Sequence, residues 1–364
     1  MKDFIIRNDT NLLFRNDPLD DLTNILKNKK VLLVYGGGSI RENGCYNDIN
    51  QAASRGSAEL IEFGNASNKI GDIEKGIELS KEKKIEMIIG AGGATVMDAA
   101  KFISFGHYHA DYKQYIRGKN TAGMGRLPLI LIPTYPSSGT ELGTYSVAFN
   151  PDTKEFGAIC GITADYAILV PRYSLTLSPE LTTYTCLVTL VQLSICVLGD
   201  KNPISYDQGI SVIKNVIKAS HFLKENPNHL KARGEILYAA SMTNSDWLSL
   251  GKVVDYGFDI YEIEFIVANL FGTTYRKNLT TIFPRFLKAV SKYHEEDVRL
   301  YFKEVFNFEG SIDDSVNKVI QFFTKQGADM YFEGNLSREK FSEIPNKASL
   351  TEDEVFDIIK NSMK

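Results

Sequence analysis

The sequence predicts an α/β, Rossmann-like amino-terminal domain followed by an all-helical carboxyl-terminal domain. Between residues 30 and 178, short runs of aliphatic and β-branched residues alternate with glycine turns and helical segments. After Pro179 the glycine turns become rare and long segments carry helical periodicity. Alternation of strand, turn and helix is typical of a parallel sheet, so we expect domains at 1–178 and 179–364.

Five apolar runs predict the strands of the first domain, because a parallel sheet covered on both faces needs continuously apolar strands. These runs are VLLVY (31–35), AELIEF (58–63), IEMII (85–89), LPLILIP (127–133) and YAILV (166–170). Helical periodicity predicts the main helices at 72–84, 95–104, 210–223, 233–250 and 351–362.

Composition and charge argue against several classes of protein. The chain is 43% hydrophobic and 24% charged, which is typical of a folded globular protein. The net charge of -4 gives no support for a nucleic-acid or anionic-membrane surface. The amino terminus lacks the apolar run of a signal peptide, and we expect no apolar stretch to reach membrane-spanning length. We therefore expect no membrane partner and a cytoplasmic location. The four cysteines lack C-x-x-C spacing, so we expect reduced thiols and no structural zinc.

Three strand ends carry residues suited to a phosphate-bearing ligand. In IIGAGGATVMDAAKFIS (88–104), Gly92 and Gly93 allow close approach of the backbone, and Ala94 and Thr95 open a helix. The free N–H groups and positive dipole of such a helix end suit a pyrophosphate. The alternative is a tight strand-to-helix turn without a ligand. Two further strand ends, glycine-rich at 36–39 and hydroxyl-rich at 134–140, favour a shared nucleotide crevice.

These motifs resemble, in order, those of the iron-containing alcohol dehydrogenases, in particular the butanol-dehydrogenase-like branch. The resemblance rests on GGGSIRENGCY (36–46), GAGGATVMDAAK (90–101), PTYPSSGTE (133–141) and the segments 147–154 and 166–173. It implies the dehydroquinate synthase-like fold and NAD(P)-dependent interconversion of alcohols and aldehydes. It also implies a homodimer and a nicotinamide nucleotide, or another small molecule, in a cleft between the two domains.

The resemblance carries a set of cofactor-side residues onto this chain. They are Gly37, Gly38, Ser39, Gly92, Gly93, Ala94, Thr95, Asp98, Thr134, Ser138, Thr140 and Lys154. An acid beside the ribose would accept a hydrogen bond from the 2′-hydroxyl and repel a 2′-phosphate. Ser39 is neutral and Arg41 is close by, so we expect NADP in preference to NAD, although NAD remains open. The alternative is that Arg41 only points to solvent.

Members of this family hold a divalent metal with one aspartate and three histidines. The matching positions here are occupied by Thr189, Leu193, Phe265 and Tyr275, and the five histidines all lie elsewhere. A shifted register would offer one oxygen ligand, from Glu262 or Glu264, which is a poor set for a catalytic transition metal. We therefore expect no metal and a reduced or altered activity.

Three functional hypotheses stay open. The first is metal-free, NADP-dependent carbonyl reduction, with Tyr275 as proton donor and Lys277 stabilising its phenolate; alternatively, Tyr275 only fills the vacated volume. The second is a non-catalytic pseudoenzyme that binds a nucleotide or metabolite as a sensor or partner subunit. The third is different chemistry on a phosphorylated substrate, with Arg276 and Lys277 binding the phosphate.

Overall fold

The computed structural model describes residues 3–153, 155–254 and 256–364, without the side chain of residue 117. The chain forms two compact units. The first, here called the α/β unit, contains Arg7–Leu177 and the later segment Arg233–Asp246. The second, the helical unit, contains Ser178–Ala232 and Trp247–Lys364 together with residues 3–6.

The α/β unit contains two sheets. Its strands are β1 (Asn11–Phe14), β2 (Lys30–Tyr35), β3 (Glu59–Phe63), β4 (Met87–Gly92), β5 (Arg117–Asn120), β6 (Leu129–Pro133), β7 (Tyr145–Asn150), β8 (Glu155–Cys160) and β9 (Tyr166–Leu169). The main sheet has the order β1-β9-β6-β4-β2-β3, and every neighbouring pair is parallel. A smaller sheet has the order β5-β8-β7. The predicted fold class, with its parallel sheet, is confirmed.

Helices cover both faces of the main sheet. They are α1 (Leu19–Leu26), α2 (Ser39–Glu42), α3 (Cys45–Arg55), α4 (Ile70–Glu82) and α5 (Ala94–Gly106), with short 3-10 helices at Tyr112–Tyr115 and Pro171–Ser174. Successive side chains of a strand point to opposite faces. Val31 and Leu33 therefore share a core with α1 and α3, whereas Leu32 and Val34 share one with α4 and α5.

The segment Arg233–Asp246 returns to the α/β unit, so that unit differs from the expected range of 1–178. Arg233 donates to the main-chain carbonyl of Ser174, and the hydroxyl of Ser241 donates to Glu141. These buried contacts join residues that are far apart in the sequence, and local periodicity carries no signal for them.

The helical unit is built around two buried helices, Pro179–Val197 and Tyr275–Ser291. Its helices are α6 (Pro179–Val197), α7 (Pro203–Glu225), α8 (Leu230–Met242, whose residues from 233 belong to the α/β unit), α9 (Tyr256–Phe271), α10 (Tyr275–Ser291), α11 (Glu295–Phe306), α12 (Ile312–Gln326), α13 (Arg338–Ser342) and α14 (Glu352–Lys360). Helix α10 packs against α6, α9, α11, α12 and α14.

Helix α6 is long and apolar enough to cross a membrane, so the expectation that no stretch reaches that length was wrong. However, 78% of its apolar window is buried inside the structure. That burial is typical of a core helix, whose all-round apolar surface is covered by neighbouring helices instead of lipid.

Candidate functional site

The three motifs that the sequence singled out lie side by side at the carboxyl ends of strands β2, β4 and β6. Strands β2 and β4 are neighbours, with Tyr35 opposite Ala91, and β4 and β6 are neighbours, with Gly92 opposite Pro133. From β2 the chain continues to β3 on one side, and β4 then lies on the other side of β2. The strand order therefore reverses between β2 and β4, and ligands of open α/β sheets bind in the crevice at such a switch point.

Helix α5 begins at this switch point with a free amino end. Gly93 is its N-cap, no side chain of the described residues caps it, and its first turn contains no acidic residue. Gly92 has a φ of 155°, a conformation that residues with a side chain rarely adopt. A Cβ on Gly93 would meet nothing closer than 3.8 Å, so the space beside this helix end is open. The uncapped N–H groups and the helix dipole fit a pyrophosphate there.

The turn after β2 is also open. A Cβ on Gly37 or Gly38 would have no atom of the described residues within 4 Å, and both glycines are exposed. Packing within the protein therefore does not explain these glycines, whereas close approach of a ligand to the backbone does. Ser39 follows as the first residue of α2 and is exposed as well.

The turn after β6 is fixed by buried hydrogen bonds. The hydroxyl of Thr140 donates to Asp98 over 2.7 Å, and the ammonium of Lys101 donates to the carbonyl of Gly143 over 2.7 Å. Burial raises the pKa of Asp98 to about 6 and lowers the pKa of Lys101 to about 8. Asp98 and Thr140 are thus engaged with each other, and a positioning role suits them better than direct contact with a cofactor.

Other predicted cofactor-side residues differ in their surroundings. The main-chain N–H of Thr134 donates to the carbonyl of Gly92 over 2.9 Å, which ties the turn after β6 to the end of β4. The hydroxyl of Ser138 is buried and has no hydrogen-bond partner among the residues that the structure describes. Thr95 is exposed on the first turn of α5. Lys154 lies outside the described residues.

Arg41 does not simply point to solvent. Its Nη2 lies 2.7 Å from a carboxylate oxygen of Glu62, and its guanidinium lies 3.8 Å from the ring centroid of Tyr46. The sequence-based reasoning did not identify Glu62. The sequence feature that could have identified it is an acidic residue near the end of the strand beside the glycine turn.

The helical unit contains a polar cluster, defined here as Gln192, Tyr261, Glu264, Tyr275 and Asn278. The side-chain amide of Gln192 donates to the hydroxyl of Tyr275 over 2.9 Å, and the amide of Asn278 donates to Glu264 over 2.8 Å. The rings of Tyr261 and Tyr275 are stacked with centroids 6.5 Å apart. Gln192, Glu264 and Asn278 are buried, so the cluster brings polar groups into the interior of three packed helices.

Comparison with known proteins shows similarity to the iron-containing alcohol dehydrogenases. A family model for iron-containing alcohol dehydrogenases matches residues 9–171. A probable NADH-dependent butanol dehydrogenase of Bacillus subtilis is 25% identical over the full length of both chains. The NADPH-dependent aldehyde reductase of Escherichia coli is 23% identical, covering 90% of this chain and 87% of the reductase. The family match thus covers less than half of the chain and lies within the α/β unit.

Solved structures show that the whole chain has the iron-containing alcohol dehydrogenase fold. The NADH-dependent butanol dehydrogenase A of Thermotoga maritima superimposes with a TM-score of 0.89 at 24% identity, covering 100% of this chain and 99% of that one. A sulfoacetaldehyde reductase from Bifidobacterium kashiwanohense, solved with NAD+, gives a TM-score of 0.82 at 18% identity, with 100% and 99% covered. The likeness includes the helical unit, which lies outside the residues 9–171 that match the family model.

The residues at the positions matched to the metal ligands of the iron-containing alcohol dehydrogenases do not fit a divalent metal. The hydroxyl of Thr189 donates to the carbonyl of Thr185 over 2.8 Å. Leu193 is fully buried and, like Phe265, offers no ligand atom. The hydroxyl of Tyr275 is bonded to Gln192. Among the described residues, no group of three or more His, Cys, Asp or Glu side chains is arranged to hold a metal. We therefore derive no step through a metal.

The structure bears on two suggestions made from the sequence, a role for Lys277 beside Tyr275 and a role for Glu264 as a metal ligand. The ammonium of Lys277 bonds Asp329 over 3.0 Å, so the suggested stabilisation of a Tyr275 phenolate by Lys277 is not supported. Burial raises the pKa of Tyr275 well above its usual range and keeps the hydroxyl protonated. The carboxylate of Glu264 is bonded to Asn278, and burial raises its pKa to about 7.

Proposed function

We propose that this protein is a member of the iron-containing alcohol dehydrogenase family and binds a nicotinamide dinucleotide at the carboxyl ends of β2, β4 and β6. The observation that carries the proposal is the uncapped amino end of α5, which lies at the switch point of the sheet beside open glycine turns. The relatives include enzymes named for NADH and for NADPH. The neutral Ser39 favours NADPH, because no acid stands at that position to repel a 2′-phosphate.

We assign the cofactor contacts by the chemistry of each turn. Gly37, Gly38 and Ser39 receive the adenosine end, and the backbone of Gly93–Thr95 receives the pyrophosphate. In the third turn, which follows β6, the hydroxyls of Thr134 and Ser138 contact the dinucleotide. Gly92 supplies the backbone conformation of the second turn, and Asp98 and Thr140 hold the third turn in place. Lys154 remains a candidate by resemblance.

For the reaction, we propose slow reduction of a small aldehyde without a metal. When bound, the reduced nicotinamide would supply a hydride to the carbonyl carbon, and the hydroxyl of Tyr275 would donate a hydrogen bond, then its proton, to the carbonyl oxygen. Water re-protonates Tyr275. Because burial raises the pKa of Tyr275 well above its usual range, it is a weak acid, and we expect a reduced rate.

The second candidate is a pseudoenzyme that binds the nucleotide, or a metabolite, without turnover. It is favoured by Leu193, a fully buried aliphatic side chain at one of the positions matched to the metal ligands. An apolar residue there costs nothing in desolvation, and it removes a ligand that the family chemistry requires.

Isothermal titration with NADH and NADPH tests the proposal, with metal content measured on the same sample. Aldehyde-dependent oxidation of the bound dinucleotide is then followed in a single turnover, with and without a chelator. Binding with turnover that resists chelation supports the metal-free reductase, and binding without turnover supports the pseudoenzyme. Failure to bind either dinucleotide overturns the proposal, and one metal ion per chain shows that its metal-free part is wrong.

Two further properties are proposed from the family resemblance alone, a homodimer and a cytoplasmic location. Light scattering on the purified protein tests the first, since a dimer has twice the 40.7 kDa of one chain. Cell fractionation with an antibody to the chain tests the second.

A further inference from the structure

Glu62, near the end of β3, accepts hydrogen bonds from three side chains. The hydroxyl of Tyr46 donates to one carboxylate oxygen. The hydroxyl of Tyr35 and the guanidinium of Arg41 donate to the other, each over 2.7 Å. We call these four residues the Glu62 cluster. Donors from β2, α2 and α3 therefore hold the carboxylate in place.

The backbone holds the Glu62 cluster beside the open turn after β2. The main-chain N–H of Asn65 donates to the carbonyl of Gly36 over 3.0 Å, which joins the end of β3 to that turn. A Cβ on Gly64 would lie 2.9 Å from the ring of Tyr35, so the glycine makes room for this ring. Arg41 follows Ser39 by two residues, which brings its charge to the turn proposed for the adenosine ribose.

Both members of the ion pair are charged under assay conditions. Hydrogen bonds from Tyr46 and Tyr35 lower the pKa of Glu62. The guanidinium of Arg41 also lies over the ring of Tyr46, which fixes its direction. The side chains of Arg41 and Glu62 keep 47% and 36% of their surface exposed, so a ligand at the turn can reach both.

We propose that Glu62 is a specificity-determining residue that neutralises Arg41 and so allows NADH to compete with NADPH. The inference rests on the proposed dinucleotide site. A free guanidinium binds a phosphate with two parallel hydrogen bonds. Here one nitrogen already bonds a carboxylate, and that carboxylate repels the 2′-phosphate of NADPH. NADH has no 2′-phosphate, so its binding does not depend on how far Glu62 neutralises Arg41.

The test compares the dissociation constants of NADH and NADPH for three variants of the full-length protein. Glu62→Gln keeps the shape and an acceptor oxygen but frees the charge of Arg41. Arg41→Gln leaves the acid without its cation. Glu59→Gln removes an exposed carboxylate at the other end of the same strand, and it is the matched control. Thermal unfolding verifies that each variant is folded, as expected for an exposed ion pair of small net stability.

Glu62→Gln is expected to tighten NADPH binding by about tenfold, which corresponds to one charge-assisted interaction, while NADH binding changes less than about twofold. Arg41→Gln is expected to weaken the binding of NADPH more than that of NADH. Glu59→Gln is expected to leave the ratio of the two dissociation constants unchanged. If this ratio is the same in Glu62→Gln and wild type, the inference is overturned, whereas the proposed dinucleotide site is not. If wild type binds neither dinucleotide, the proposed function fails and the inference fails with it.

Discussion

The hydroxyl oxygen of Tyr275 lies 2.9 Å from the side-chain amide nitrogen of Gln192. Gln192 is 3% exposed, and Tyr275 stands at a position matched to a metal ligand of the family. Tyr275 as a whole is 37% exposed, but burial of its hydroxyl keeps that group protonated. A neutral amide–phenol pair therefore lies at the position that the sequence resemblance matches to a metal ligand.

Tyr275→Phe tests whether this hydroxyl takes part in turnover. We expect kcat/KM for aldehyde reduction to fall by about 10²-fold, the cost of removing one donor to a developing oxyanion. Dinucleotide affinity should stay close to wild type, whereas the melting temperature should fall by a few degrees because the buried amide of Gln192 loses its acceptor. Steady-state kinetics and titration measure the two effects. Tyr108→Phe, at an exposed tyrosine of the α/β unit, is the control. Unchanged kcat/KM in Tyr275→Phe would mean that the ring only fills space.

Gly38→Leu is expected to abolish dinucleotide binding without unfolding the protein. Gly38 has φ -71° and ψ -5°, which any residue adopts, and a side chain there meets open space. The same side chain would occupy the volume assigned to the adenosine end. Gly71→Leu is the matched control, because that exposed glycine of α4 also has open space around it. Normal affinity in a folded Gly38→Leu protein would rule out the assigned position.

Glu264→Gln should flatten the pH dependence of stability. The pKa of Glu264 is raised from 4.5 to about 7 by burial, so between these values the folded protein binds more protons at this site than the unfolded chain. The free energy of unfolding therefore falls as pH rises through that window, by roughly 3 kcal/mol for a shift of this size. Urea unfolding of wild type and Glu264→Gln at pH 5 and pH 8 measures the difference.

The amide of Gln retains an acceptor for Asn278, so the variant should lose the pH dependence and keep the fold. Glu296→Gln, at an exposed carboxylate, reports the effect of removing one negative charge from the surface. Identical pH profiles for wild type and Glu264→Gln would show that Glu264 is not the titrating group.

Lys101→Met should destabilise the α/β unit by about 3–5 kcal/mol, because it leaves a buried carboxylate without its cation. Lys101 is fully buried, and its charge acts on Asp98 and Glu141, which are 7% and 2% exposed. Urea unfolding measures the change. Lys113→Met removes an exposed lysine paired with Glu74 and should cost less than about 1 kcal/mol. Equal stabilities for the two variants would contradict the prediction.

The strands around the proposed nucleotide site were predictable from the sequence. VLLVY and LPLILIP fall in β2 and β6 to within two residues, because strands buried on both faces must be apolar throughout. The glycine turns were predictable for a related reason, since only glycine tolerates the φ of Gly92. The short edge strand β1 was missed; its four residues, half of them exposed, give no apolar run.

Contacts between distant residues were not predictable. The helix expected at 233–250 ends at Met242, where the hydroxyl of Thr243 turns back to the carbonyl of Ala240 over 2.7 Å. Such side-chain bonds to the backbone compete with helix continuation. The pairing of Arg41 with Glu62 joins residues 21 positions apart on different elements, and local patterns do not report it.

The α/β unit is assembled from two stretches of chain, and this determines when it can be completed during synthesis. The carbonyl of Ser138 accepts from Thr243 and Asn244, and that of Ser174 accepts from Arg233. At about 5–20 residues per second, a ribosome needs roughly 3 to 14 seconds to extend the chain from residue 178 to residue 246. Throughout that interval the residues of the sheet have been synthesised but the segment Arg233–Asp246 has not. A fragment ending at Leu177 would be fixed permanently in that unfinished state.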